Sequence, residues 1–102
     1  MNYRLLISDE SSLDIIDTFL WYETQREGLG KDFELCLEAG FNTLLRNPHI
    51  CQIKYNGVRV YYITRFPYGI HYLAEKDEIR VMGIFHTSRN PKSWSERLNK
   101  QK

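Results

Sequence analysis

The sequence lacks long hydrophobic runs and any visible targeting segment. None of its apolar stretches approaches the roughly 20 residues that a membrane-spanning helix requires. Its N-terminus, MNYRLLISDE, has no basic segment followed by a long apolar one, which is the pattern of a secretory signal. We therefore expect a cytoplasmic protein that makes no use of a membrane.

Cysteine is scarce, and the common motifs for metal, phosphate and nucleotide binding are missing. Cys36 and Cys51 are the only cysteines, with no further soft ligands at the tight spacing of a zinc site. A disulfide is disfavoured in a reducing cytosol, and Cys36 follows a helix-like apolar pattern, which predicts a buried free thiol. The motifs GxxxxGK[ST], GxGxxG after a strand, HExxH, GxSxG and CxxC are absent. No metal and no cofactor is predicted.

Charge is nearly balanced overall but divided between the two halves of the chain. Residues 1–45 contain three basic and nine acidic residues, a net charge of −6, whereas residues 46–102 contain eleven basic and four acidic residues, a net charge of +7. This division favours one positive surface on an otherwise acidic molecule. The alternative interpretation is that the charges only keep the protein soluble.

Two helices are predicted after an initial strand, NYRLLIS. The first helix begins at Ser8 or Asp9 and ends at the glycine-containing EGLG, and the second runs from about Lys31 to Arg46, before Asn47-Pro48. The apolar stripe of the first helix comprises Leu13, Ile16 and Leu20, widened by Ile15, Phe19 and Tyr22. Gly40 lies within the stripe of the second helix, where close approach to a neighbouring element would offset its low helix propensity. The short connection predicts an antiparallel helix hairpin.

The second half of the chain is predicted to form four strands and a last helix. Segments CQIKY, VRVYYITRF, GIHYLAE and EIRVMGIFH are separated by turns too short for a crossover, so an antiparallel meander is expected. PKSWSERLNK reads as a short helix, capped by Ser88 or Asn90 and anchored on the sheet by Trp94. Residues 1–102 are therefore predicted to form a single α+β domain of order β-α-α-β-β-β-β-α. An antiparallel sheet carries the N-terminal helix hairpin on one face, and a short C-terminal helix follows it.

Two groups of residues are candidates for chemistry. Alternation along residues 58–66 places Arg59, Tyr61, Ile63 and Arg65 on one side of a strand, a composition suited to phosphate and stacking contacts or, alternatively, to surface ion pairs. In residues 78–86 the same alternation sets Ile79, Val81, Gly83 and Phe85 against Arg80, Met82, Ile84 and His86.

The second group lies in the stretch FHTSRNPKSW, where Arg89 follows His86 by three residues. A histidine beside an arginine suits RNA cleavage by acid–base catalysis with charge stabilisation. A lone histidine is, however, more often a hydrogen-bonded structural residue, and that is the alternative interpretation.

Over roughly residues 3 to 96, the chain resembles the RelE/ParE superfamily of toxins from bacterial type II toxin–antitoxin systems, also called plasmid-stabilisation proteins. The resemblance lies in the order and spacing of SDESSLDI, WYE, GLGKDF, LLRNP, NGVRVYYITRFPYGIHY and IFHTSRNPKSW. It implies a β-α-α-β4 arrangement and a growth-arresting toxin, associated with stress responses, that is neutralised by an antitoxin encoded beside it.

The resemblance also implies one of two targets. RelE-type members cleave mRNA on the ribosome, whereas ParE-type members inhibit DNA gyrase by binding. This chain has Gly69 after Tyr68, where RelE-type toxins have arginine, and its His86 and Arg89 match the HxxR ending of ParE-like members. A ParE-like gyrase inhibitor is therefore favoured. The alternatives are a metal-independent, RelE-like endoribonuclease and an inactive module that only binds antitoxin or regulates the operon.

Site residues follow from these expectations. A nuclease would use His86, Arg89 and Arg65 for catalysis. Target or nucleic-acid contacts are predicted at Arg59, Tyr61, Arg65, Tyr68 and Arg89. The antitoxin is expected to lay an apolar helix or strand over the hairpin or the sheet edge and to contact Trp21, Tyr22 and Trp94. A homo-oligomer is compatible with this assignment.

Overall fold

Residues 3–100 are described by a computed structural model of the chain, and they form five strands and three helices. In chain order the elements are β1 (Arg4–Ile7), α1 (Asp9–Gln25), α2 (Leu29–Arg46), β2 (Ile53–Tyr55), β3 (Val58–Tyr62), β4 (Tyr68–Glu75), β5 (Glu78–His86) and α3 (Pro91–Lys100). This order confirms the predicted α+β class and the predicted sequence of elements.

The five strands form one sheet in the order β1-β5-β4-β3-β2. Strands β2 to β5 pair antiparallel, as the short turns predicted. Strand β1 instead pairs parallel with β5, with Arg4 opposite Glu78 and Ile7 opposite Val81. The sheet is therefore mixed, because the helix hairpin carries the chain across the sheet between β1 and the meander.

The connection between α1 and α2 is stabilised by one carboxylate. Gly28 adopts the left-handed conformation with φ of 87°, which favours glycine. The Glu23 side chain accepts hydrogen bonds from the backbone N–H groups of Gly28, Gly30 and Lys31 at 3.2, 2.7 and 3.4 Å. These amides belong to the first turn of α2 or directly precede it and have no partner within the helix, so Glu23 acts as the cap that this helix otherwise lacks.

Replacing Glu23 by alanine is expected to lower the free energy of unfolding by about 1 kcal/mol, because the N-terminus of α2 loses its side-chain acceptor. Urea denaturation monitored by circular dichroism measures the change. Glu23→Gln is the matched control, since its amide oxygen retains an acceptor; it should lose less than the alanine variant. Equal stability of all three proteins would contradict the capping role.

Only part of the predicted α1 stripe packs against the protein, since Ile15 and Tyr22 contact the main core. Ser11 and Thr18 are the buried residues of this helix, and Leu13, Ile16 and Leu20 are exposed. Helix α1 carries apolar residues on both sides, so its periodicity alone cannot identify the buried one. The predicted stripe is therefore divided, with Ile15 and Tyr22 against the core and Leu13, Ile16 and Leu20 on the exposed side.

The main core lies between the hairpin and one face of the sheet. Its fully buried members include Phe33 and Leu44 of α2 and Ile70, Tyr72 and Ile79 of the sheet. A Cβ atom at Gly40 would lie 3.0 Å from Ile70 Cδ1 and 3.3 Å from Tyr61 Cε2. The expected close approach of α2 to the sheet is thereby confirmed.

Both cysteines are free and half-buried. The predicted free thiol of Cys36 is present, and the prediction of its burial is only partly met. Its side chain lies at the margin of the main core, where it packs against buried residues without being enclosed by them.

A β-bulge in β5 changes the sheet face on which the residues after it lie. Tyr72 pairs with Val81 and His71 pairs with Gly83, so Met82 is an additional residue that forms a β-bulge in β5. Beyond the bulge Ile84 joins the hairpin-side core, and Phe85 contacts His71 on the opposite face. The predicted alternation of residues 78–86 therefore holds through Met82 and is wrong from Gly83 onward.

The predicted strand over residues 58–66 is also too long, since β3 ends at Tyr62. Arg65 has a φ of 70° in the following loop, and both Ile63 and Phe66 enter the hairpin-side core. Alternation beyond Tyr62 is lost because the chain leaves the sheet.

Helix α3 covers part of the sheet face opposite the hairpin. Its Leu98 packs in a small second core with Val58 and Met82. The Asn90 side chain accepts a hydrogen bond from the Lys92 N–H at 2.9 Å, which identifies Asn90 as the N-terminal cap of α3.

Candidate functional site

An aromatic cluster formed by Tyr55, His71, Phe85 and Trp94 lies on the sheet face opposite the helix hairpin. The His71 ring is 4.8 Å from the Trp94 ring and 4.7 Å from the Phe85 ring, and the Tyr55 ring is 5.4 Å from that of Trp94. A Cβ at Gly83 would overlap the Phe85 ring, so the absence of a side chain there allows Phe85 to cover the sheet. As predicted, Trp94 anchors α3 on the sheet.

His71 is neutral in this cluster. Burial, reinforced by the positive charges of Lys54, Arg89 and Arg97, lowers the pKa of His71 from 6.5 to about 3. Burial also raises the pKa of Tyr55 to about 12, so its hydroxyl remains protonated. Tyr55 Oη and His71 Nδ1 are hydrogen-bonded at 2.8 Å, and the tautomer of the neutral imidazole sets which of the two donates.

Arg97 joins α3 to α1 and to the part of β5 that extends beyond its pairing with β1. Its guanidinium donates to both carboxylate oxygens of Asp14, at 3.0 and 3.1 Å, and to the Met82 carbonyl at 3.3 Å. Glu10 lies 3.3 Å away, and the hydrogen bond to Asp14 is the main reason that the pKa of Arg97 is raised. The Ile84 N–H donates to Asp14 at 3.1 Å, so one carboxylate binds both an arginine and the strand.

Arg89 is the more accessible of the two arginines that stack on Phe85. Its guanidinium carbon lies 4.4 Å from the centre of the Phe85 ring, and its Nε donates to Ser93 Oγ at 2.9 Å. A cavity of about 230 Å³ adjoins it, lined by Glu10, Arg89, Ser93, Glu96 and Arg97. The mixed charges of this cavity suit a salt-bridging peptide side chain better than a phosphate, which would meet two carboxylates.

His86 is exposed at the end of β5. Its ring contacts the Tyr68 ring edge-on at 5.2 Å, and its Nδ1 accepts a hydrogen bond from the Ser88 N–H at 3.0 Å. The Ser88 hydroxyl lies 2.8 Å from the same nitrogen. These contacts hold the ring at the strand end and occupy its Nδ1.

The other predicted target contacts lie on the hairpin side of the sheet. The Arg59 guanidinium donates to the Cys51 carbonyl, and Tyr61 packs at the margin of the main core. Arg65 forms an ion pair with Asp32 at 3.6 Å. Within residues 3–100, no hydrogen bond or ion pair connects the His86 side chain with Arg59, Arg65 or Arg89.

The three residues predicted to contact an antitoxin lie in different surroundings. Trp21 is 55% exposed on α1. Tyr22 is half-buried against Phe33 and Phe66, with ring separations of 5.8 and 4.9 Å, and burial raises its pKa. Trp94 is half-buried in the aromatic cluster. Of the three, Trp21 alone offers most of its side chain to a partner.

Sequence reasoning missed the roles of Tyr55, His71, Phe85 and Arg97. The bulge at Met82 places Phe85 on the same face of the sheet as His71. No residue pattern in the sequence indicates this bulge. Arg97 and Asp14 are separated by 83 positions, and the sequence contains no local sign of their pairing.

The described part of the chain contains no cluster of three or more metal-binding side chains. Within residues 3–100, no helix has the length and apolar composition needed to cross a membrane.

Comparison with known proteins identifies a family and several similar solved structures. Residues 5–91 match the family model described as the ParE toxin of the type II toxin–antitoxin system, parDE. No curated protein matches the chain by sequence. The solved structure of a chromosomal ParDE toxin–antitoxin system from P. aeruginosa is similar, with a TM-score of 0.74 and 14% sequence identity, covering 84% of this chain and 97% of that one. At that identity the similarity shows a shared fold.

Proposed function

Because the chain belongs to the ParE toxin family of type II toxin–antitoxin systems, we propose that it arrests bacterial growth in the cytoplasm by binding DNA gyrase. Binding is favoured over RNA cleavage, and a cognate antitoxin is the partner that neutralises it.

The separate partners of the predicted nuclease residues are the observation that carries this proposal. General acid–base cleavage of RNA requires a proton-transfer group and a cation that converge on one phosphate. Here Arg65 is paired with Asp32 beside the hairpin, and Arg89 is stacked on Phe85 across the sheet. His86 is bound to Ser88 at the strand end. Each of the three side chains is bound to a different neighbour. This arrangement favours roles in contacting a target protein over a shared role in catalysis.

Within the binding hypothesis, the target contacts are assigned to the cations and tyrosines named above. Arg65 and Arg89 are exposed and are the main candidates, whereas Arg59, Tyr61 and Tyr68 are half-buried and would act at the margin. For the antitoxin, Trp21 is the accessible contact. The Tyr22 ring packs edge-on against the Trp21 ring at 4.9 Å. Trp94 would add a contact at the margin of α3.

A supercoiling assay with purified gyrase tests the proposal. We expect the protein to inhibit supercoiling near stoichiometric concentration. Arg89→Ala should require about tenfold more protein, because it removes an exposed cation at the proposed contact. Arg26→Ala is the matched control, since it removes an equally exposed charge from the hairpin connection and should behave as wild type.

Primer extension on translated mRNA separates the alternatives. Uninhibited supercoiling together with mRNA cleavage that disappears in His86→Ala would replace the proposal with the endoribonuclease. If induction without an antitoxin leaves growth unchanged, the inactive module is the better description.

A further inference from the structure

The cavity of about 230 Å³ beside α3 contains an arginine and a glutamate that do not pair with each other. We name it the α3 cavity, and its lining residues are Glu10, Arg89, Ser93, Glu96 and Arg97. Glu10 and Arg97 form an ion pair at 3.3 Å, so their charges are used within the fold. Arg89 and Glu96 are exposed. Within residues 3–100, the Glu96 side chain makes no hydrogen bond or ion pair, and Arg89 has no carboxylate partner.

The Arg89 side chain is already held in one position. Its Nε donates to Ser93 Oγ at 2.9 Å, and its guanidinium lies over the Phe85 ring at 4.4 Å. The Ser93 hydroxyl is fixed in turn, because it donates to the Asn90 carbonyl at 2.7 Å. A guanidinium held in this way loses little side-chain entropy on binding. Its remaining N–H groups match the two oxygens of a carboxylate.

The acidic residues of the α3 cavity restrict the partner. A phosphate that reached Arg89 would also meet the carboxylates of Glu10 and Glu96, and so would a protein segment that carried only acidic residues. A basic residue beside the carboxylate of the partner removes this repulsion, because it can pair with Glu96. The α3 cavity therefore fits an acidic and a basic side chain that one protein segment presents together.

We propose that the α3 cavity is a docking site for an acidic–basic residue pair on a helix of the target protein, an inference that deepens the proposed function and rests on it. The acidic side chain binds Arg89, and the basic side chain binds Glu96. A helix presents such a pair at positions i and i+4, about 5–6 Å apart. The target is a better occupant than the antitoxin, because Trp21 lies about 16 Å along α1 from Glu10.

The direction of the Glu96 effect tests the composition of the partner. Inhibition of supercoiling is measured over a range of protein concentrations. Glu96→Gln should require about fivefold more protein, because an ion pair at the interface is lost. Glu96→Lys should require at least about tenfold more, because two basic side chains then meet. Glu38→Lys is the matched control, since it makes the same charge change at an exposed position of α2 and should behave as wild type.

A partner with acidic groups alone gives the opposite result. Protein segments of that kind, and nucleic acid, would gain from a lysine at position 96. Unchanged or improved potency of Glu96→Lys would therefore overturn the proposal. Both Glu96 variants change an exposed side chain, so their urea midpoints should equal that of the wild type. Equal midpoints assign any loss of potency to the contact.

Arg89→Lys tests the contact made by the guanidinium. Lysine keeps the positive charge, but it has no donor equivalent to Nε and cannot bind both oxygens of a carboxylate as a fork. This variant should require about threefold more protein than the wild type, which is less than the loss expected for Arg89→Ala. Wild-type potency of Arg89→Lys would overturn the forked contact.

Growth assays separate this inference from the proposed function, because growth arrest does not depend on which protein is the target. If the wild type inhibits gyrase and Glu96→Lys inhibits it equally, the function stands and the docking site fails. If the wild type arrests growth without inhibiting gyrase, and Glu96→Lys relieves the arrest, the docking site stands for another target and the gyrase proposal fails. A protein that does neither overturns both. If Glu96→Lys keeps its potency and instead escapes neutralisation, the antitoxin occupies the cavity and the docking proposal is overturned.

Discussion

Replacing Asp14 by alanine is expected to destabilise the protein by about 3 kcal/mol, at the low end for breaking a buried ion pair, because it removes the more buried carboxylate of Arg97 and leaves only the more exposed Glu10. The side chains of Arg97 and Asp14 are only 12% and 16% exposed, and the same carboxylate accepts the Ile84 N–H. Urea denaturation at neutral pH measures the effect. A loss below about 1 kcal/mol, the range of surface pairs, would contradict a buried role.

Three further variants separate the charge from the hydrogen bonds. Asp14→Asn retains an acceptor for Ile84 and should lose less than alanine. The double variant Asp14→Leu with Arg97→Met should recover part of the loss, because no charge is then buried. Asp17→Ala on the exposed side of the same helix should change stability by no more than about 0.5 kcal/mol.

Acidification from pH 7 to pH 5 is expected to remove about 2 kcal/mol of stability through His71 alone. The unfolded chain binds a proton at this imidazole near pH 6.5, whereas burial lowers the pKa in the folded protein to about 3. Between those values the unfolded state carries more protons than the folded state. The stabilisation is therefore complete above pH 6.5 and is lost as pH falls towards 3.

Denaturant titrations at a series of pH values test this expectation. His71→Gln should flatten the pH dependence between pH 7 and pH 5, since it removes the titrating ring and retains a hydrogen-bonding partner for Tyr55. A slope that is the same in the wild type and in His71→Gln would assign the loss to other groups.

Local patterns predicted most of the fold because the elements are signalled by nearby residues. Asn47-Pro48 ends α2, Asn56-Gly57 makes the turn between β2 and β3, and Asn90 starts α3. Gly40 correctly indicated a close helix–sheet contact. Each signal depends on the backbone preferences of a few adjacent residues, which do not require the tertiary structure.

The failures share a different cause. The bulge at Met82, the parallel pairing of β1 and the exposed side of α1 are determined by contacts between distant segments. Nothing near Leu13 shows that Ser11 will donate to the Val81 carbonyl and thereby orient the helix. The candidate site was affected most, because its members lie on β2, β4, β5 and α3 and meet only in the folded sheet.

The pairing of the two chain ends has a consequence for synthesis of the protein. Strand β1 needs β5 as its neighbour, and Asp14 needs Arg97, which is 83 positions later. A nascent chain that ends before β5 therefore lacks the partners of its first strand and of Asp14, and one that ends before α3 still lacks the partner of Asp14. Folding waits for the last helix, since contacts so distant in sequence form late and slowly. If the proposed toxicity requires the folded sheet, an incomplete chain on the ribosome is harmless to the cell that makes it.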